Sequence, residues 1–109
     1  MAEYLQRGES LDYVNTGNAK IEAGEVIVFG NRIGVAGCDI EIGATGSLHV
    51  VGVYEFPLAA STAVTAGAAV YWDATNGVIT TTSTNNTLAG YAVKAAASGD
   101  ATVLVKINA

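Results

Sequence analysis

Cysteine is nearly absent from this chain. Cys38 stands alone, so no intramolecular disulfide and no cysteine-based metal cluster can hold the fold. Charge is also scarce, at 14% of 109 residues, with ten acids against five bases. The bases (Arg7, Lys20, Arg32, Lys94 and Lys106) are scattered and form no patch that could neutralise a phosphate backbone, which argues against nucleic acid as a direct partner. A monomer keeps its surface charged, so the shortage also points to burial against other subunits. Aromatic residues are only 7% although half of all residues are hydrophobic. The core must therefore be thin and built largely from Ala and Val. No apolar stretch approaches membrane-spanning length, and "MAEYLQRGES" is polar where a secretory signal needs an apolar run. The expectation is synthesis in the cytoplasm and no membrane partner. Without a secretory signal, the glycosylation triplet Asn85-Asn86-Thr87 reads as chance.

What is present is β texture. "VIVFG", "SLHVVGVYEF", "AAVYWD", "GVITTT" and "ATVLVKI" are short runs rich in β-branched and aromatic residues, separated by Gly, Asn, Asp or Ser. No segment keeps apolar positions at helical spacing with caps at both ends. The best helical composition, "PLAASTAVTAGAAV", is interrupted by Gly67 and β-branched residues, so at most one turn fits near 57–62. Ser98-Gly99-Asp100 reads as a hairpin turn into the last strand. The chain length suits one domain.

Residues 20–37, "KIEAGEVIVFGNRIGVAG", echo residues 63–80, "AVTAGAAVYWDATNGVIT", without a gap. The echo sets Ile21 on Val64, Ala23-Gly24 on Ala66-Gly67, Phe29 on Trp72 and Gly34-Val35 on Gly77-Val78. Further on, "HVVGVYEF" resembles "TLAGYAVK" around Gly52 and Gly90. Two copies are too few for a solenoid. The expected fold is therefore all-β: a small, partly closed barrel or sandwich built from two related halves, with little or no helix. A single domain spans 17–109, with the halves at about 20–56 and 63–107. Residues 1–16 stand outside the echo, and Tyr4, Leu5, Leu11, Tyr13 and Val14 give them unusual apolar surface for a terminus. They suit either an arm that docks on a neighbour or a first strand.

Candidate sites divide between chemistry and packing. His49 alternates with Leu48 and Val50 on a strand, and an outward polar position explains it without a catalytic triad. A reactive Cys38 needs a cationic neighbour, but Asp39 follows it; a small, semi-buried side chain is expected. Asp39 and Glu41 share a strand face by their spacing, and a solvated acidic edge fits better than a cation site without a calcium-loop pattern. Asp73 opens the turn Ala74-Thr75-Asn76-Gly77, where a carboxylate accepts turn N–H groups. Tyr71 and Trp72 point to opposite faces of a strand, one inward and one toward a partner. "TTTSTNN" suits an exposed loop or edge strand. The contact candidates are Tyr4, Leu5, Tyr13, Tyr71, Trp72, Thr82 and Thr84. A rival reading makes Tyr71, Trp72, Asp73 and Asn76 a sugar-stacking site in a small carbohydrate- or ligand-binding β-module.

Three stretches, "GESLDYVNTG", "IEAGEVIVFGNRIGVAGCDIEIGATGSLHVVGVYEFP" and "VTAGAAVYWDATNGVITTT...NTLAGYAVKAAASGDATVLVKI", cover nearly the whole chain. In these the chain resembles a family of small phage and prophage proteins, the capsid cement or head decoration proteins. Tyr71-Trp72-Asp73 and "GYAVKAAASGDATVLVKI" are the most specific parts. The family usually carries Lys after the proline, where Leu58 follows Pro57 here. The resemblance implies a structural, non-enzymatic protein on the capsid exterior. It would bind the major capsid protein of an expanded head, typically as a homotrimer, with no cofactor and no metal. Members have often been labelled recombinases of the ATP-dependent strand-exchange type. That chemistry needs G-x-x-x-x-G-K-[ST] to cradle phosphates, and none of Lys20, Lys94 and Lys106 stands in such a motif.

Overall fold

A computed structural model describes residues 10–108. Nine strands follow in chain order: β1 (Ser10–Val14), β2 (Val26–Phe29), β3 (Arg32–Ala36), β4 (Thr45–His49), β5 (Val53–Pro57), β6 (Ala69–Asp73), β7 (Val78–Thr80), β8 (Thr87–Ala92) and β9 (Thr102–Ile107). They form two antiparallel sheets, ordered β1-β4-β3-β2 and β5-β9-β8-β6-β7. The described residues contain no helix. The fold is all-β and sandwich-like, as expected, and among the described residues no closed barrel forms. The five-stranded sheet curls until its edges meet at one parallel bridge, Leu58 with Ile79, where Ala59 N–H donates to Ile79 O at 2.9 Å.

"SLHVVGVYEF" does not run as one strand. It breaks at Gly52, whose φ of 131° lies outside the range L side chains favour, so β4 and β5 enter different sheets. Residues 10–14 form β1 rather than part of a loose terminus, pairing along their length with β4.

Without β7 the two sheets have the same order, β1 matching β5, β4 matching β9, β3 matching β8 and β2 matching β6. The registers agree, since Ser10 and Val53 stand opposite His49 and Lys106. One constant shift carries Ser10–Phe29 onto Val53–Trp72, so Phe29 and Trp72 do correspond. Beyond them the gapless echo fails. Gly34 faces Ile27 as Gly90 faces Val70, so the counterpart of Gly34 is Gly90, and Gly77 belongs to the turn before the inserted β7. The similarity of 49–56 to 87–94 fails as well, because β5 matches β1 while residues 87–92 form β8. A short composition match cannot reveal an inserted hairpin when both partners read simply as Gly followed by an apolar residue.

A turn device appears four times, in "IEAG", "IEIG", "VTAG" and "AASG". Their first residues pair as isolated bridges, Ile21 with Ile40 and Val64 with Ala96. Each is followed by a tight turn, closed by the N–H of Glu25, Ala44, Ala68 or Asp100 on the carbonyl three residues earlier, at 2.9–3.1 Å. The Asp100 carboxylate adds a bond from Ala97 N–H at 2.8 Å.

Strand alternation decides burial. In β9, Val103, Val105 and Ile107 are buried while Thr102, Leu104 and Lys106 are exposed. The main core gathers these with Phe56, Leu58, Val64, Val70, Ile79, Ala89, Ala92 and Ala96, and β3 of the other sheet contributes Ile33 and Val35. As composition implied, the core relies on Ala and Val. A smaller cluster of Ile21, Ala36 and Ile40 serves the four-stranded sheet, with Tyr13, Ile27 and Ala44 on its rim. Asn108 ties the sheets together, its Nδ2 donating to Ile33 O at 2.8 Å and Val50 O at 2.9 Å.

Candidate functional site

Trp72 points inward. Its ring meets Phe56 at a centroid distance of 6.0 Å and a tilt of 58° and packs on the main core, a favourable edge-biased arrangement. Tyr71, next along β6, must face the opposite way. It lines a surface depression of about 460 Å³ with Asn31, Arg32, Asn86, Thr87 and Leu88. The turn between β2 and β3 supplies Asn31, the start of β3 supplies Arg32, and β8 supplies Thr87 and Leu88.

Thr82 and Thr84 are exposed in the loop between β7 and β8. Asn86 gives this loop its shape, donating from Nδ2 to Thr82 O at 2.9 Å and from its backbone to Ser83 O at 3.2 Å. Tyr13 is half-buried against Ile21, Ala36 and Ile40, so much of its ring serves the fold. Tyr4 and Leu5 lie outside the described residues. The structure therefore brings Tyr71 beside the end of the Thr-rich loop, keeps Trp72 and Tyr13 on packing duty, and assembles no single patch from all the candidates.

Asp73 performs turn chemistry. Its Oδ1 accepts from Thr75 N–H at 3.0 Å and Asn76 N–H at 3.2 Å, and its Oδ2 accepts from Asn76 Nδ2 at 2.8 Å. The Asn76 side chain, then these backbone bonds, hold its carboxyl below the usual carboxylate value. Gly77 completes the turn at φ 67°, donating to Asp73 O at 2.7 Å. Asp73 and Asn76 satisfy each other and Trp72 is turned away, so the sugar-stacking quartet is not assembled.

Asp39 and Glu41 do lie on one side, where Lys20 Nζ approaches them at 3.4 and 3.7 Å. Asp39 also accepts Ala23 N–H at 2.9 Å. That bond first, then the Lys20 charge, lowers its carboxyl, while Asp39 raises the Lys20 ammonium. These groups are solvated and the acidic edge is bridged by a cation. Among the described residues no cluster of His, Cys, Asp and Glu is placed to hold a metal, and no helix is long and apolar enough to cross a membrane.

Cys38 is exposed, not semi-buried. It lies in the bend between β3 and the Ile40 bridge, outside either core. His49 is half-buried and packs over Gly37. It shares a depression of about 350 Å³ with Val26, Val35, Tyr54, Glu55 and Phe56, where burial raises the Tyr54 phenol. No nucleophile is tied to either group.

One surface was not singled out from sequence. Val53, Leu88 and Leu104 project from the outer face of the five-stranded sheet, Val53 at 52% exposure. Its signal was present in the alternation of "VYEFP" and "TVLVKI", where apolar residues occupy both faces. A comparison with protein families finds that the model of a phage cement protein family matches residues 5–107. No curated protein and no solved structure matches the chain.

Proposed function

The chain belongs to the phage cement protein family, a structural role on the phage capsid, and on that premise we propose that it clamps the outer surface of an expanded head and stabilises the shell against internal pressure. The family match along nearly the whole domain carries this reading. The partner is the major capsid protein. The protein acts as a homotrimer on the virion exterior after synthesis in the host cytoplasm. Each copy offers a modest contact, and a trimer spanning several shell subunits links those contacts so that they bind as one. Tyr71, Thr82 and Thr84, with Tyr4 and Leu5 of the N-terminal segment, are the proposed shell-facing residues. The family match supports a structural, non-enzymatic protein, and the sequence lacks the Lys-bearing phosphate loop that ATP-dependent strand exchange in particular would need.

The test is co-sedimentation of purified protein with expanded, undecorated heads. Binding should saturate at a stoichiometry fixed by the lattice, and decorated heads should resist heating better than bare ones. Absence of saturable binding would overturn the reading. The Tyr71 depression keeps a saccharide-binding reading open to measurement: a fluorescence change on adding glycans, without head binding, would favour it.

A further inference from the structure

The two sheets differ in how their edges end. In the five-stranded sheet the inserted β7 covers β6, and the edges then meet at the Leu58–Ile79 bridge. The four-stranded sheet has no equivalent of β7, and among the described residues nothing pairs with the outer side of β1 or of β2. The result shows in burial. Val70 on covered β6 is 0% exposed, while its counterpart Ile27 on β2 is only partly buried. Both open edges are short on charge: Val26-Ile27-Val28-Phe29 has none, and Ser10-Leu11-Asp12-Tyr13-Val14 has only Asp12. Neither contains a proline or a bulge that would discourage pairing.

We infer that β1 of one copy pairs with β2 of a second copy, head to tail, so that three copies close the four-stranded sheets into one ring; the number three rests on the homotrimer reading above. Strand direction permits this. Because β1, β4, β3 and β2 alternate, β1 is antiparallel to β2 of its own sheet. Copies related by rotation about an axis along the strands keep those directions, so each junction is also antiparallel. A head-to-tail contact of this kind closes when the rotation closes.

Backbone geometry selects the register. Ala36 N–H donates to Glu25 O at 2.9 Å, which places Val26 opposite Val35 as a non-hydrogen-bonded pair. Ile27 and Phe29 therefore bond to β3, and the backbone groups of Val26 and Val28 point outward. On β4, Gly37 N–H donates to Ser47 O at 2.9 Å, which assigns Ser47 and His49 to β3 and leaves Gly46 and Leu48 to bond β1. Tyr13 and Leu11 then face β4, and Asp12 and Val14 point outward. The full overlap sets Asp12 against Val28 and Val14 against Val26 as hydrogen-bonded pairs. Between them Tyr13 stands opposite Ile27 and Leu11 opposite Phe29. Side-chain alternation is kept across the junction. Val14 and Val28, 48% and 40% exposed, share one face, and the half-buried Leu11, Tyr13, Ile27 and Phe29 share the other. Each junction is small, so ring closure, in which every copy uses both edges, supplies the stability that one junction lacks.

Two variants of the full chain test this. Val28→Pro removes an outward N–H while leaving the β2–β3 bonds intact. It should elute as a monomer by size exclusion with light scattering, with an unchanged circular dichroism spectrum, where the wild type is a trimer. In a Cys38→Ser background, Leu11→Cys with Phe29→Cys should give disulfide-linked dimers and trimers on mild oxidation. Phe29→Cys alone should not. Within one chain these positions lie three strand spacings apart, roughly 14 Å, too far for a disulfide, so any cross-link joins copies. A Val28→Pro trimer, or a trimeric wild type whose cysteine pair stays reduced, overturns the pairing and leaves the cement reading standing. A wild type that remains monomeric at high concentration overturns the pairing too, and whether that monomer binds expanded heads then decides the cement reading separately.

Discussion

Replacing Gly90 with alanine tests whether the close approach of β8 and β9 is a requirement of the fold. Gly90 sits beside the register shift between Val70 and Tyr71, at φ 150°. A Cβ there would overlap the Lys106 carbonyl oxygen, and would lie 3.0 Å from Lys106 C and 3.1 Å from Ile107 Cα. All three obstacles are backbone of a central strand, so no side chain can swing aside. The unfavourable φ costs roughly 1–3 kcal/mol, and forcing the strands apart adds about 1–3 kcal/mol. The expected loss of about 4 kcal/mol is a large share of a total stability of roughly 5–15 kcal/mol. It should lower the melting temperature by about 20 °C. Two controls separate the contributions. Gly24→Ala meets open space at φ 88° and should show the backbone cost alone, about 1 kcal/mol. Gly34→Ala has no left-handed φ and meets only the Leu48 side chain, at 2.5 Å from Cγ, which can repack in part, so its loss should fall between the other two. Urea unfolding of the three variants would measure them on one scale. A Gly90→Ala protein no less stable than Gly24→Ala would refute the reasoning.

Three further outcomes follow from the geometry. Trp72→Ala should cost about 3 kcal/mol in urea unfolding, because its ring packs on Phe56, whereas Tyr71→Ala should stay within about 1 kcal/mol; equal losses would contradict the assigned faces. Asn15 is 2% exposed, and its Nδ2 donates to Ala19 O at 2.8 Å and Ile40 O at 3.0 Å. Asn15→Ala removes both bonds while Ile40 O keeps the one it accepts from Ile21 N–H at 3.0 Å, and a loss of about 1–2 kcal/mol is expected in the same assay. Asp39 and Asp73 carry lowered carboxyls, so their folded forms release protons more readily than the unfolded chain. Their contribution is present above the ordinary value of 3.8 and is lost as pH falls below it through the folded values. Thermal melting from pH 6 to pH 2 should decline across that window, and Asp73→Asn should decline less steeply.

The local features of the fold were legible because local chemistry decides them. Asn76-Gly77 and Asp73 announce a turn through one residue that tolerates positive φ and one carboxylate within reach of its own N–H groups. "IEAG" and "VTAG" announce their turns through glycine at a fixed distance from an apolar bridge residue, and "IEIG" and "AASG" carry the same pattern more quietly. The exposure of Cys38 is not legible in the sequence, because a small side chain between Gly37 and Asp39 gives no sign of which way the bend turns. The break at Gly52 was hidden because the residues on both sides favour strand equally.

The sequence by itself determined an all-β texture, a thin Ala- and Val-rich core, the local turns and a family match over residues 5–107. These follow from composition, period and turn residues, which act over a few positions. Only the tertiary structure decided that Trp72 faces the core and Tyr71 the surface. A strand offers two faces of equal standing, and the sheet that packs against one of them makes the choice. It also decided that β7 is an insertion, that Gly34 answers to Gly90, and that one sheet meets itself while the other, among the described residues, keeps two unpaired edges. Pairing between distant segments is selected by the whole set of contacts, and no window of neighbouring residues contains it.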